Sequence, residues 1–160
     1  MKVDVRELLE GSIEKKTLEY EESPEFIDGL SFSLLPSVSL TLERMDRKIV
    51  LSCNVKTVVF LECSRCLQVY PQPLEFSYRE VYSEEPFRII GELTEEDFKF
   101  TIENNVIDVS SSVRENIIIN LPIKPLCKPD CKGLCPVCGE NLNEGDCNCN
   151  TRNILINLDL

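Results

Sequence analysis

Between Val38 and Arg44 apolar and polar residues alternate, with Val38, Leu40 and Leu42 on one parity and Ser39, Thr41 and Glu43 on the other. A period of two is that of a half-buried β-strand. Met45–Lys48 reads as a turn. A longer alternation follows, in which Ile49, Leu51, Cys53, Val55, Val59, Leu61 and Cys63 oppose Ser52, Asn54, Lys56 and Glu62. Val50, Val58 and Phe60 interrupt the polar side, so that face is expected to be partly covered as well. The pattern resumes with Leu74, Phe76, Tyr78 and Tyr82 against Glu75, Ser77 and Arg79. Two strands therefore meet near Cys63–Cys66 and are expected to be antiparallel neighbours.

Shorter elements flank these three. Lys16–Tyr20, Phe98–Ile102, Val106–Val109 and Asn153–Leu160 read as strands, Val5–Gly11 as one helical turn, and residues 83–97 as an acidic loop containing Pro86 and Gly91. The period then changes. Val113, Ile117, Ile118 and Leu121 fit one face of a short helix. Ser112 and Glu115 have capping-box spacing at its start, and Pro122 ends it. The expected fold is α+β: a mostly antiparallel β-sheet or partial barrel with one short helix and a Cys-rich C-terminal segment, whose closely paired cysteines suit a zinc-stapled tail. Residues 1–126 would form the β-rich domain and residues 127–160 the Cys-rich segment docked on it.

The chain has 160 residues, 42% hydrophobic and 28% charged, as in an ordinary globular protein. No run approaches the length of a membrane span, and the charged start, Met1–Gly11, lacks the apolar core of a secretory signal. A cytoplasmic protein without a membrane partner is expected. Net charge is −11 and histidine is absent, which excludes Ser–His and Cys–His catalysis. An acidic chain suits a basic partner better than a phosphate backbone. The acidic runs Glu19–Glu25 and Gly91–Phe98 read most simply as solvated loops.

Cysteine adds the chemistry. Nine are present, too many for a cytosolic chain to hold as disulfides. Eight form pairs of short spacing: Cys63-x2-Cys66, Cys127-x3-Cys131, Cys135-x2-Cys138 and Cys147-x-Cys149. Tetrahedral zinc is commonly held by two such pairs, so the arithmetic allows one or two structural Zn²⁺ ions. The short loop between Cys138 and Cys147 favours Cys135, Cys138, Cys147 and Cys149 as one set, leaving Cys63, Cys66, Cys127 and Cys131 as the other. The alternative joins Cys127, Cys131, Cys135 and Cys138, with Cys63 and Cys66 paired to Cys147 and Cys149. Two filled sites would take the net charge from −11 to −15. All-thiolate sites leave no open position for water, which argues against hydrolysis and a small-molecule substrate. An iron–sulfur cluster takes the same ligands. A dithiol redox protein using Cys63 and Cys66 is a further alternative, although no βαβ pattern surrounds that pair. Cys53 has core parity and reads as a small buried hydrophobe.

Arg65, Lys124, Lys128 and Lys132 stand near the cysteines. Their simplest role is local balance of thiolate charge; the functional alternative is contact with RNA.

Three stretches, in this order, carry a family resemblance: "LECSRC" (Leu61–Cys66) ending a long strand, "ENIIINLPIKPLC" (Glu115–Cys127), and "CKGLCPVCGENLN" (Cys131–Asn143) followed by "CNC". From about Val38 to Cys149 the chain resembles the YceD family, whose members are described as large ribosomal RNA subunit accumulation proteins. The resemblance implies a non-enzymatic assembly or stability factor acting with a ribosomal protein, a pre-ribosomal particle or rRNA. It implies no catalytic residue, and carries over the eight paired cysteines only as metal ligands.

Overall fold

The long alternations are realised as three consecutive strands of fifteen residues each, β3 (Ser31–Met45), β4 (Lys48–Glu62) and β5 (Val69–Ser83). A computed structural model describes residues 1–21, 30–84 and 100–149. Before β3 come β1 (Lys2–Asp4), the one-turn α1 (Arg6–Leu9) and β2 (Lys15–Glu21); after β5 come β6 (Val106–Asp108) and α2 (Ser110–Ile119). β1 and β6 pair antiparallel, and the larger sheet has the order β2-β3-β4-β5. β2 runs antiparallel to β3, from Lys15 opposite Glu43 to Glu21 opposite Ser37. The Lys15 and Glu43 side chains close that register with a 2.9 Å ion pair. Contacts between β4 and β5 step in opposite directions, Asn54 to Ser77 at 2.9 Å and Lys56 to Glu75 at 2.7 Å, as in an antiparallel pair. Among the described residues the sheet stays open, with β2 and β5 at its edges, and is not a closed barrel. β5 carries Pro71 and Pro73, which only an edge strand tolerates readily because they lack N–H donors.

Burial follows the parity read from the sequence. Val38, Leu40, Leu42, Ile49, Leu51 and Val55 are all at most 1% exposed. Cys53 lies among them at 2%. Burial pushes its thiol up to about 11, against a hydrogen bond from Tyr78 and with the Glu80 carboxylate adding to the rise. Thr57 also keeps core parity, its hydroxyl donating to the Leu34 carbonyl at 2.7 Å. Val50 and Val58 are half-buried and Phe60 is exposed, so the second face is covered in part.

The helix departs from expectation at its start. α2 begins at Ser110 after Val109, with no side-chain cap. Ser112 therefore lies inside the first turn, where it is buried, donates its hydroxyl proton to Glu80 Oε2 (2.6 Å) and shares a 3.0 Å hydrogen bond with the Tyr78 hydroxyl. The capping-box spacing was misleading because the hydroxyl is satisfied across to β5 rather than by its own helix. Val113 and Ile117 are buried as the periodicity requires, whereas Ile118 is exposed and Leu121 lies past the helix end. Of the Phe98–Ile102 strand, the described part contributes only an isolated bridge, Thr101 to Ser83. The 83–97 loop falls almost wholly, and the 153–160 strand wholly, outside the described residues, as do Gly91–Phe98 and the end of Glu19–Glu25. No helix among the described residues is long and apolar enough to cross a membrane.

Two compact units result: unit 1 is Met1–Val59 with Pro73–Leu121, and unit 2 is Phe60–Gln72 with Pro122–Leu160. Unit 1 owns the apolar core. Leu51→Ala is expected to destabilise it by about 2–5 kcal/mol through a cavity, and Ser112→Ala by about 1–3 kcal/mol through loss of the bonds to Glu80 and Tyr78. Urea unfolding of each variant against the parent chain checks both values.

Candidate metal centre

Every paired cysteine lies in unit 2. Its two Cys-x2-Cys turns share one backbone scheme. In the first, the Cys63 N–H donates to the Gln68 carbonyl (3.0 Å) and the Leu67 N–H to the Cys63 carbonyl (2.9 Å). In the second, the Cys135 N–H donates to the Glu140 carbonyl (2.8 Å) and the Gly139 N–H to the Cys135 carbonyl (2.9 Å). The residue after each second cysteine is left-handed: Leu67 at φ 60° and Gly139 at φ 76°. That twist turns the chain back while N–H groups two and three residues on point at the first sulfur. The Val137 N–H donates to Cys135 Sγ at 3.4 Å, and the amides of Arg65 and Cys66 draw down the Cys63 thiol as those of Val137 and Cys138 draw down Cys135. Gly139 announces its turn in the sequence. Leu67 does not, since a side chain in this region is unusual.

The eight sulfurs fall into two groups, Cys63, Cys66, Cys127, Cys131 and Cys135, Cys138, Cys147, Cys149, each with all its sulfurs within 4.8 Å of one another. This is the first of the two pairings that spacing allowed. In the first group Cys63 and Cys131 sulfurs are 3.7 Å apart, as are those of Cys66 and Cys127. A disulfide requires about 2.05 Å. Four sulfurs about 2.3 Å from a central zinc define a tetrahedron with edges of roughly 3.8 Å. The donor set and spacing therefore fit a tetrahedral thiophilic cation.

Ionisation points the same way. Burial alone would push the Cys63 thiol up, but N–H groups of Cys127, Arg65 and Cys66 bring it down to about 6. Cys135 also lies at about 6, drawn down chiefly by the N–H groups of Cys138 and Val137. Cys127, by contrast, is pushed up to about 12 by burial and by its contacts with Cys131, Cys66 and Cys63. Cys149 reaches about 12 through its contact with Cys138 and through burial. Thiols this crowded cannot all ionise beside one another; a divalent cation removes the conflict by deprotonating its ligands.

The groups differ in exposure. Cys63, Cys66 and Cys131 are buried and Cys127 half-buried; in the second group Cys138 is exposed, Cys147 and Cys149 are half-buried, and Cys135 alone is buried. The first group is also a small core, with Tyr70, Leu126 and Leu134 packed against it. Backbone bonds tie its distant halves: the Ser64 N–H donates to the Pro125 carbonyl (2.8 Å) and the Leu134 N–H to the Arg65 carbonyl (3.2 Å). Arg65 Nη1 donates to the Cys131 carbonyl at 2.7 Å. Gly133, at φ 80°, keeps this approach open, since a Cβ there would stand 3.0 Å from the Arg65 carbonyl oxygen.

The four basic residues are engaged unequally. Arg65 is engaged with Cys131. Lys132 Nζ stands 4.0 Å from Asp146, and Lys124 and Lys128 are exposed. Asn143 carries no signal in the sequence, yet its side-chain amide donates to Cys131 Sγ (3.4 Å) and accepts from the Lys132 N–H (2.9 Å). A fixed amide hydrogen bond to a cysteine sulfur is read only from coordinates.

Residues 51–158, which include all of these cysteines, match the family "Large ribosomal RNA subunit accumulation protein YceD". The chain belongs to the YceD family. Among similar proteins, the YCED homolog 1 of Zea mays, a chloroplastic large ribosomal RNA subunit accumulation protein, is 28% identical over 73% of this chain and 49% of its own length. Its Arabidopsis thaliana counterpart is 28% identical over 70% and 43%. An uncharacterized protein of Mycobacterium tuberculosis is 30% identical over 66% and 50%. This YceD chain thus spans about half the length of these relatives. No solved structure matches it.

The two turns of this YceD protein make a paired prediction. Leu67→Gly is expected to stabilise unit 2 by about 1 kcal/mol by relieving a left-handed residue, and Gly139→Ala to cost about 1 kcal/mol. A Cβ at Gly139 would meet nothing within 4 Å, so that cost is conformational alone. Thermal unfolding of both variants, with zinc in excess, reads the opposite signs.

Proposed function

We propose that the chain is a cytoplasmic, non-enzymatic factor for accumulation of large-subunit ribosomal RNA, built on two structural Zn²⁺ ions. One observation carries the reading: within the stretch matched to YceD, two sets of four thiols each have the spacing of a saturated tetrahedral site. Cys63, Cys66, Cys127 and Cys131 would hold one ion, and Cys135, Cys138, Cys147 and Cys149 the other. Bound zinc would fasten separate stretches of chain and, with four protein ligands, leave no position for a reacting molecule. A dithiol redox role for Cys63 and Cys66 is disfavoured by their burial, because exchange needs a sulfur that another thiol can reach.

Charge supports a ribosomal protein as the partner. Unit 1 holds 22 Asp and Glu against 12 Lys and Arg, whereas unit 2 holds 6 against 5. The acidity therefore belongs to the β-rich unit, which suits a basic protein. Direct RNA contact is the second reading, favoured by exposed Lys124 and Lys128 beside Lys132 and Arg65. Its weakness is that Arg65 already serves the Cys131 carbonyl.

Native mass spectrometry is expected to show two zinc ions per chain, and Cys63→Ser to lose one of them. Depletion of the protein is expected to lower mature large-subunit rRNA while small-subunit rRNA holds. Pull-down should recover a basic ribosomal protein after nuclease treatment. Recovery that vanishes with nuclease, and falls when Lys124, Lys128 and Lys132 are replaced by Ala, would transfer the assignment to RNA. A chain without metal, whose loss leaves both rRNAs unchanged, would end the proposal.

A further inference from the structure

The two sulfur groups are joined by more than chain. Asn143 lies in the loop between Cys138 and Cys147, both of the second group, yet its side chain serves the first. Its Nδ2 donates to Cys131 Sγ at 3.4 Å and to Asn141 Oδ1 at 2.8 Å, and its Oδ1 accepts from the Lys132 N–H at 2.9 Å. The Asn143 N–H also donates to Asn141 Oδ1, at 3.0 Å. The loop itself is held by a short antiparallel pairing, the Cys135 N–H to the Glu140 carbonyl (2.8 Å) and the Leu142 N–H to the Gly133 carbonyl (2.9 Å). Beyond Asn143 the Glu144 N–H donates to the Asn141 carbonyl (3.0 Å), Lys132 Nζ stands 4.0 Å from Asp146, and the far end meets Cys135 and Cys138 at Cys147 and Cys149.

We infer that the two metal sites are energetically coupled, with Asn143 as the positioning residue that transmits occupancy of the exposed site to the buried one. The inference rests on the zinc reading above. Filling the second site closes both ends of the loop and removes the freedom that Asn143 must lose to reach Cys131. The amide then donates to a thiolate already bound to zinc, which lowers the charge on that sulfur and orients it; outer contacts of this kind typically change metal affinity about 10- to 100-fold. Coupling is reciprocal, so a filled first site tightens the second by the same factor. Because Cys138 is exposed while Cys63 and Cys131 are buried, the second site is the one that exchanges with free zinc, and its occupancy sets the strength of the first.

Zinc affinity of the first site is measured on the full chain by competition with a chromophoric chelator, and its sulfur-to-metal charge-transfer band is recorded with Co²⁺. Removing the second site by Cys147→Ser with Cys149→Ser is expected to weaken the first about tenfold. Asn143→Ala and Asn143→Asp are expected to do the same with all eight cysteines present and to shift the band to lower energy; the Asp variant keeps an oxygen for the Lys132 N–H and controls for loop folding. Combining Asn143→Ala with the double Ser variant should weaken the first site no further than either alone. Two bound ions whose affinities ignore Asn143, or effects that simply multiply, overturn the coupling and leave the zinc reading standing. A parent chain that binds no metal overturns both.

Discussion

Crowding of sulfur is the constraint on which unit 2 depends. Four thiols within 4.8 Å of one another, three of them buried, form a cluster with Tyr70, Leu126 and Leu134 as the apolar side chains against it. Burying three such side chains contributes a few kcal/mol, at about 2 kcal/mol for each one fully buried. A structural zinc contributes about 10–16 kcal/mol in small modules, and a disulfide about 2–4. Separations of 3.7 Å rule out the disulfide and match the edge of a zinc–thiolate tetrahedron. Unit 1 stands on ordinary terms, with side chains from β3, β4 and α2 buried to within 1%.

The N–H donors around the sulfurs distribute the anionic charge before any cation arrives. Cys63 and Cys135, the first residue of each turn, receive two local amides and lie low; Cys127 and Cys149, outside the turns, lie high. Cys131, outside the turns, is also drawn below its ordinary value, against burial, by the Asn143 amide and the Gly133 N–H, while Cys66 within a turn is raised, so each group sets lowered thiols beside raised ones.

Local patterns were legible wherever a single strand or turn decides the outcome. Alternation from Val38 to Tyr82 located β3, β4 and β5 and the faces they bury, because burial in a sheet is decided residue by residue with period two. The Cys-x2-Cys spacing, with Gly139 behind it, announced a turn. Other positions failed for physical reasons. Ser112 carries a cap-like spacing, but its hydroxyl is satisfied by Glu80 and Tyr78 on a neighbouring strand. Leu67 occupies a glycine's conformation at a site where the turn's hydrogen bonds outweigh the steric cost. Arg65 reads as a balance for thiolate charge, and its guanidinium donates to a carbonyl 66 residues away.

By itself the sequence determined that the chain alternates as a sheet, that it is acidic without histidine, and that eight cysteines stand in four close pairs. Its order of motifs was enough to point to YceD. Which pairs share a centre was left open between two pairings, because a pair's partner is a question of where distant segments of chain return. Only the tertiary structure decided that Cys127 and Cys131 join Cys63 and Cys66, through backbone bonds at Ser64 and Leu134 that no local pattern encodes. It alone revealed the unequal burial of the two groups and the amide of Asn143 on a sulfur of the other set. Periodicity records what each residue needs from its immediate neighbours; convergence of thiols depends on loop closure across sixty residues, which spacing constrains but does not choose.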